Sequence, residues 1–317
     1  MALRRLFGAA SLSVVLAACG MGTPATPSPT PAPTPDVTPS PTPAAAACGP
    51  DSSALKNAGR LTIGTGEPAY PPYFDPPADG EMAATPANRQ DPWSLGDPTN
   101  KRGFEAAVAW GLAERLGFSD DQVDWIAVEW AESWAPGPKE FDFNLNQTSY
   151  RPERAESTDM SEGYFFLNQA LVTNAGTPIA SATTIEQVRE YRLGAQIGTT
   201  SLAYIENHIQ PTTQASVYDS NDAAIAALNA EQIDGIVVDL PTAFFITAAQ
   251  MDNGEIVGQF PPAAGEEQEY FSVVLELDSP YTECVNQALA EMKADGTLDA
   301  ITQEWMADKA DAPHLQP

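Results

Sequence analysis

Positive charge is scarce in this chain. Its 317 residues hold 15 Lys and Arg against 43 Asp and Glu, a formal net charge of -28. That balance argues against a nucleic-acid partner, because phosphate backbones are held by clustered cations. Histidine is scarcer still, with only His208 and His314. There is also no Gly-x-Ser-x-Gly, metal-ligand cluster or phosphate-loop lysine, so no catalytic residue, cofactor or metal is expected. A lyase working with carboxylates alone passes that screen. Long apolar runs are missing as well: Leu6 to Ala18 is too short for the ~20 residues that a membrane-spanning helix needs. Cysteine is limited to Cys19, Cys48 and Cys284.

What is present begins with an address. Arg4 and Arg5, the apolar run and small residues before Cys19 have the layout of a secretory signal over residues 1–18. Leu16-Ala17-Ala18-Cys19 resembles the bacterial lipobox, which implies that Cys19 becomes a lipidated first residue and anchors the chain outside the cytoplasm. Residues 19–47 are Thr, Pro, Ala and Ser with almost no large apolar side chain, so they read as an extended tether. With Cys19 lipidated, Cys48 and Cys284 remain in an oxidising compartment, and a bridge between them is expected.

Beyond Pro50, strand-like and helix-like patterns alternate, which argues an α/β fold. Leu61–Thr65, Trp125–Val128, Arg192–Ile197, Ile233–Val238 and Phe271–Leu275 read as strands. Phe104, Val108, Leu112 and Leu116 recur at helical spacing and stop at Gly117. Helices are also expected from a capping box at Thr184, over Ser201–His208 and Ala223–Leu228, and in two C-terminal stretches, Pro280–Lys293 and Gly296–Met306.

Five fragments carry a resemblance. They are Leu61 to Tyr73 with its Tyr-Pro-Pro-Tyr loop, Gly103-Phe104-Glu105 at a helix start, and Gln147 to Arg154 followed by Met160 to Tyr164. The last two are Gly198-Thr199-Thr200-Ser201 and Ile236 to Pro241. In that order the chain resembles the bacterial extracellular solute-binding proteins of family 3, the amino-acid receptors of ABC importers. The likeness covers about residues 55–310. It implies a two-lobed, type II periplasmic-binding-protein-like fold with two interlobe crossings and a ligand cleft. The implied first lobe runs over 48–171, the second over 172–270, and 271–317 returns to the first lobe with the C-terminal helices. The crossings fall near Leu171-Val172 and Phe271-Ser272. Departures are an extra residue in the first loop, a longer stretch over 75–102 and a slightly short one over 130–142.

A free amino acid presents a carboxylate, an ammonium and a side chain. The resemblance puts Arg154 on the carboxylate, where a planar guanidinium meets both oxygens. It puts the Ser149 hydroxyl on the ligand, with Gln147 as a further candidate. Thr199 and Thr200 open a helix and would add hydroxyls and N–H groups, although a plain cap explains the same residues. Asp239 would hold the ammonium, or else cap the helix before Pro241. Glu67 would meet the ammonium or a basic side chain, and Tyr70 would pack on the ligand side chain. Tyr73 and Trp130 favour the core, with Trp130 kept as a pocket candidate.

The function implied is that of a monomeric, lipid-anchored receptor that binds a polar amino acid and delivers it to a membrane permease. The alternatives are a carboxylate-dependent lyase or dehydratase, or a small-molecule sensor, on the same fold. The excess of acid reads as a solvated surface and does not identify the ligand.

Overall fold

The computed structural model describes residues 48–262, 265, 267–307 and 312–317, so the expected signal peptide, Cys19 and the tether lie outside the described residues. In chain order the first strands are β1 (Leu61–Thr65), β2 (Val123–Ala127), β3 (Phe143–Asn144) and β4 (Thr158–Met160). Helices α1 (Phe104–Arg115) and α2 (Pro152–Ala155) lie among them. Strands β5 (Phe165–Phe166) and β6 (Gln169–Asn174) follow, then α3 (Ile185–Val188), β7 (Leu193–Gln196), α4 (Thr200–Tyr204) and β8 (Ser216–Tyr218). The remaining elements are α5 (Asn221–Asn229), β9 (Gly235–Asp239), α6 (Leu240–Phe245), β10 (Gly254–Gln259), β11 (Tyr270–Phe271), β12 (Val274–Glu276), α7 (Thr282–Ala294) and α8 (Thr297–Met306).

These make two five-stranded sheets, ordered β2-β1-β3-β12-β4 and β10-β6-β9-β7-β8. In the first, β1 runs parallel to β2 and β3, and β12 is antiparallel to β3 and β4. In the second, β7 runs parallel to β8 and β9, while β6 is antiparallel to β9 and β10. Each sheet is the centre of one lobe. The central strands are apolar throughout because both of their faces are covered: Val237 packs into one cluster of the second lobe, and Ile236 and Val238 into the other.

Helix α1 forms where its periodicity places it, with Phe104, Val108 and Leu112 fully buried. Gly103 precedes it at φ 102°, and a Cβ there would lie 2.5 Å from the carbonyl oxygen of Tyr73, so only glycine lets the helix start against that loop. Helices α7 and α8 pack on α1 in the first lobe. The capping box at Thr184 is present, with the Thr184 hydroxyl accepting from the Gln187 N–H at 3.2 Å, yet the helix it opens is one turn long.

The connections differ from expectation in two places. Leu171 and Val172 do not mark a crossing: they lie inside β6, paired to β9 and β10 in the second sheet. The ribbon of β5 and β11 comes earlier in the chain, with Phe165 opposite Phe271. The return to the first lobe is also incomplete at the C-terminus. Pro313 and Leu315 bond to both backbone groups of Gln259 on β10, and Leu315 is buried in the second lobe. An edge strand with free N–H and C=O groups is a template for such pairing, and the tail covers it.

Two features hold the first lobe rigid under the cleft. Cys48 and Cys284 form a disulfide that ties the start of the described chain to α7. Glu105, in the first turn of α1, is fully buried; it accepts from the Tyr164 hydroxyl and from both the backbone and side-chain N–H groups of Gln147. Burial raises its carboxyl to about 7 against those hydrogen bonds, which pull the other way.

Replacing Cys48 and Cys284 by serine lowers unfolding free energy by about 2–5 kcal/mol, measured by denaturant titration. For Glu105 the folded-state value lies above the unfolded one, so its contribution is fully present below the unfolded value near 4.5 and is lost as pH rises to about 7. Stability curves across that window show a fall in the native chain and a flatter profile in Glu105→Gln.

Candidate functional site

A cavity of about 220 Å³ lies between the lobes. It is smaller than the ~300–1,000 Å³ of pockets that take drug-sized molecules, so its occupant is small. Its wall is assembled just beyond the carboxyl ends of the parallel strands: Gly66 follows β1, Asn146 follows β3, Thr199 follows β7 and Asp239 ends β9. Ligands of open α/β sheets collect at such ends.

Arg154 is the one basic residue in that wall. Pro152 starts α2 and sets Arg154 in its last turn, where the residue is only 5% exposed. The guanidinium donates to the backbone carbonyls of Ser149 at 2.6 Å and Gly198 at 2.8 Å, one in each lobe. Its Cζ lies 4.3 Å from the ring centre of Trp134 and 5.6 Å from that of Trp130. Among the described residues no carboxylate pairs with it. Burial, and then repulsion from Arg151, push its pKa down to about 10. Glu269 and Glu153 attract it from further away, and a buried cation whose direct partners are neutral is poised for an anion.

Asp239 caps α6, its carboxylate accepting from the Thr242 N–H at 2.9 Å and the Thr242 hydroxyl at 2.8 Å. The Tyr73 hydroxyl of the first lobe donates to the same carboxylate at 2.5 Å. Burial raises the Asp239 carboxyl above its ordinary range, against those hydrogen bonds. Tyr73 is fully buried, as the core reading expected, while its hydroxyl reaches across the cleft.

The other expected residues all line the cavity, with some of their polar groups already engaged. The Thr199 hydroxyl accepts from the Leu202 N–H and donates to the Gln196 carbonyl, so Thr199 caps α4. The Thr200 hydroxyl accepts from Gln169 at 3.3 Å. Ser149 donates to Glu269, and the Gln147 side chain is turned to Glu105. Tyr70 stacks on Phe245 of the second lobe at 5.2 Å between ring centres. Trp130 meets Trp134 edge-on, and its indole N–H is buried without a partner.

Glu67 is held by the long stretch over 75–102. Its carboxylate accepts from the Ser94 N–H and hydroxyl, and Arg89 stands 4.0 Å away. The same stretch adds Leu95 to the wall and anchors itself by burying Trp93.

Sequence reasoning missed Gln169 and Glu269. Gln169 is 3% exposed, donates to Glu269 at 2.9 Å and accepts from the Ser201 hydroxyl at 2.6 Å, which continues the Ser149–Glu269 bond into the second lobe. A lone Gln at a strand start carries no local signal for this. Asp219 and Asp222, around the start of α5, also line the cavity and were read only as part of a solvated acidic surface.

Comparison with known proteins agrees with this architecture. The L-cystine-binding protein TcyJ of Escherichia coli is 26% identical over 255 residues, covering 79% of this chain and 84% of that protein. The ABC transporter arginine-binding protein 1 of Escherichia coli is 25% identical over 53% of this chain and 67% of its own length. A substrate-binding protein of an ABC uptake transporter from Streptococcus pneumoniae, solved with bound histidine, superposes with a TM-score of 0.60 at 22% identity, covering 83% of this chain and 98% of that one. At that identity the superposition establishes the fold, the two-lobed type II arrangement. The family model for bacterial extracellular solute-binding proteins, family 3, matches residues 85–308, and the chain belongs to that family of extracytoplasmic binding proteins.

Proposed function

We propose that the chain is the receptor of an ABC importer, binding a polar amino acid in the interlobe cavity and handing it to a membrane permease. The observation that carries this reading is Arg154: a guanidinium 5% exposed, lining the cavity and unpaired with any described carboxylate. Its fork meets a ligand carboxylate, and Asp239 in the opposite lobe meets the ammonium. Thr199, Thr200 and Ser149 border the head group, while Tyr70, Trp130 and Glu67 border the side chain, with Gln147 placed as support for the loop that carries Ser149. The relatives named above bind cystine and arginine, which share this zwitterionic head.

In this reading the chain crosses between lobes at the β5–β11 ribbon, and contacts on both sides of the cleft favour the closed form once ligand is present. Lipidated Cys19 and the tether hold a monomeric body near its permease. The relatives are binding proteins, and the chain is a binding protein rather than an enzyme.

The full chain, freed of carried-over ligand by unfolding and refolding, gains thermal stability with one chemical group of amino acids, by about 2.7 kcal/mol at a hundredfold excess over Kd. Arg154→Lys keeps the charge and loses the fork, weakening binding roughly 10- to 100-fold. A folded chain that answers to no amino acid, or an Arg154→Lys variant that binds as the native chain does, overturns the reading.

A further inference from the structure

Resting on the amino-acid reading above, we propose that the cavity selects an amino acid with a positively charged side chain. The wall carries one guanidinium and the carboxylates of Glu67, Glu129, Asp219, Asp222 and Asp239. Once Arg154 faces the ligand carboxylate and Asp239 the ammonium, four carboxylates remain for the side-chain end. They come from both lobes: Glu67 beyond β1, Glu129 beyond β2, Asp219 beyond β8, and Asp222 in the first turn of α5. An acid in a first helical turn complements the helix dipole, which explains Asp222 and none of the others.

Among the described residues, protein cations balance this group only at Glu67. Glu67 has Arg89 at 4.0 Å as its ion-pair partner, and its Oε2 is buried with no hydrogen-bond donor. Asp222 accepts from the Gln250 amide at 2.9 Å, which orients it without neutralising it. An anionic side chain entering here adds a further negative charge inside a screening length of ~8–10 Å. A neutral one leaves Glu129, Asp219 and Asp222 without a cation among the described residues. A guanidinium or ammonium offsets them, and the faces of Tyr70 and Trp130 in the same wall attract a cation as well.

Titration calorimetry on the refolded, ligand-free full chain tests this with L-arginine, L-lysine, L-glutamine, L-glutamate and L-cystine. Arginine or lysine binds at least about tenfold tighter than glutamine, glutamate binds least, and added salt erodes the preference. In the double variant Asp219→Asn, Asp222→Asn, whose side chains are exposed, the ratio of basic to neutral affinity falls by about tenfold. Preference for glutamine, glutamate or cystine over both basic acids overturns the proposal and leaves the amino-acid reading standing. An unchanged ratio in the double variant also overturns the part assigned to Asp219 and Asp222. Failure of a folded chain to bind any of the five overturns this proposal, while the amino-acid reading falls only if the remaining amino acids also fail.

Discussion

A guanidinium held away from water with no described carboxylate within ion-pairing distance is the constraint on which the site depends. Removing an ion from water costs several kcal/mol, and carbonyl dipoles offset only part of that. Arg154 has the carbonyls of Ser149 and Gly198, and the face of Trp134 at 4.3 Å. Keeping it there recruits much of the first lobe. Pro152 starts its helix, and Gln147, with φ at 47°, is locked by one backbone and one side-chain bond to Glu105. Glu105 is fixed in turn by Tyr164, and α1 by its close approach to the Tyr73 loop. The burial that lowers the Arg154 pKa also strengthens its pull on an incoming carboxylate, since both follow from the low local dielectric.

The contacts between the lobes have a common pattern. Tyr73 reaches Asp239, Tyr70 lies on Phe245, and Arg154 reaches Gly198, so each pairs a first-lobe side chain with a group of the second lobe. Ligand closes such a cleft only by what it adds in the closed form. In the proposed reading, a zwitterion adds a bridge between Arg154 and Asp239 and places its charges on two groups that burial disfavours. The chain also ends in the second lobe, where Leu315 is packed, although α8 packs in the first.

Much of this was legible because its signals are local. Helical spacing of Phe104, Val108 and Leu112 dictates α1, and the apolar run ending at Asp239 dictates β9. The expected site residues line one cavity because they follow strand ends, where turn residues and functional residues coincide. What escaped is what depends on partners distant in sequence. β3 is two residues long and exists only because β1 and β12 flank it. The crossing near Leu171-Val172 is implied by the resemblance, and the residues themselves cannot correct it, because an apolar pair is silent about which sheet it enters. Gln169 joins Ser149 to Ser201 through Glu269, a hundred residues further on, and no pattern within its own strand announces that role.

Asp239 shows why a plain structural role and a binding role need not compete. From sequence, capping the helix before Pro241 and holding an ammonium stood as alternatives. A carboxylate has about four lone-pair positions. Tyr73 and the Thr242 N–H occupy Oδ1, and the Thr242 hydroxyl takes one position on Oδ2. One acceptor position on Oδ2 remains for a donor from the cavity. The cap fixes the direction of that position, since a carboxylate bonded to its own helix cannot rotate freely, and burial raises the cost of its charge until a cation arrives. Capping is therefore compatible with the ammonium role proposed for Asp239, and at Thr199 the cap has a second effect, since its bond to the Leu202 N–H fixes the turn that brings the Gly198 carbonyl to Arg154.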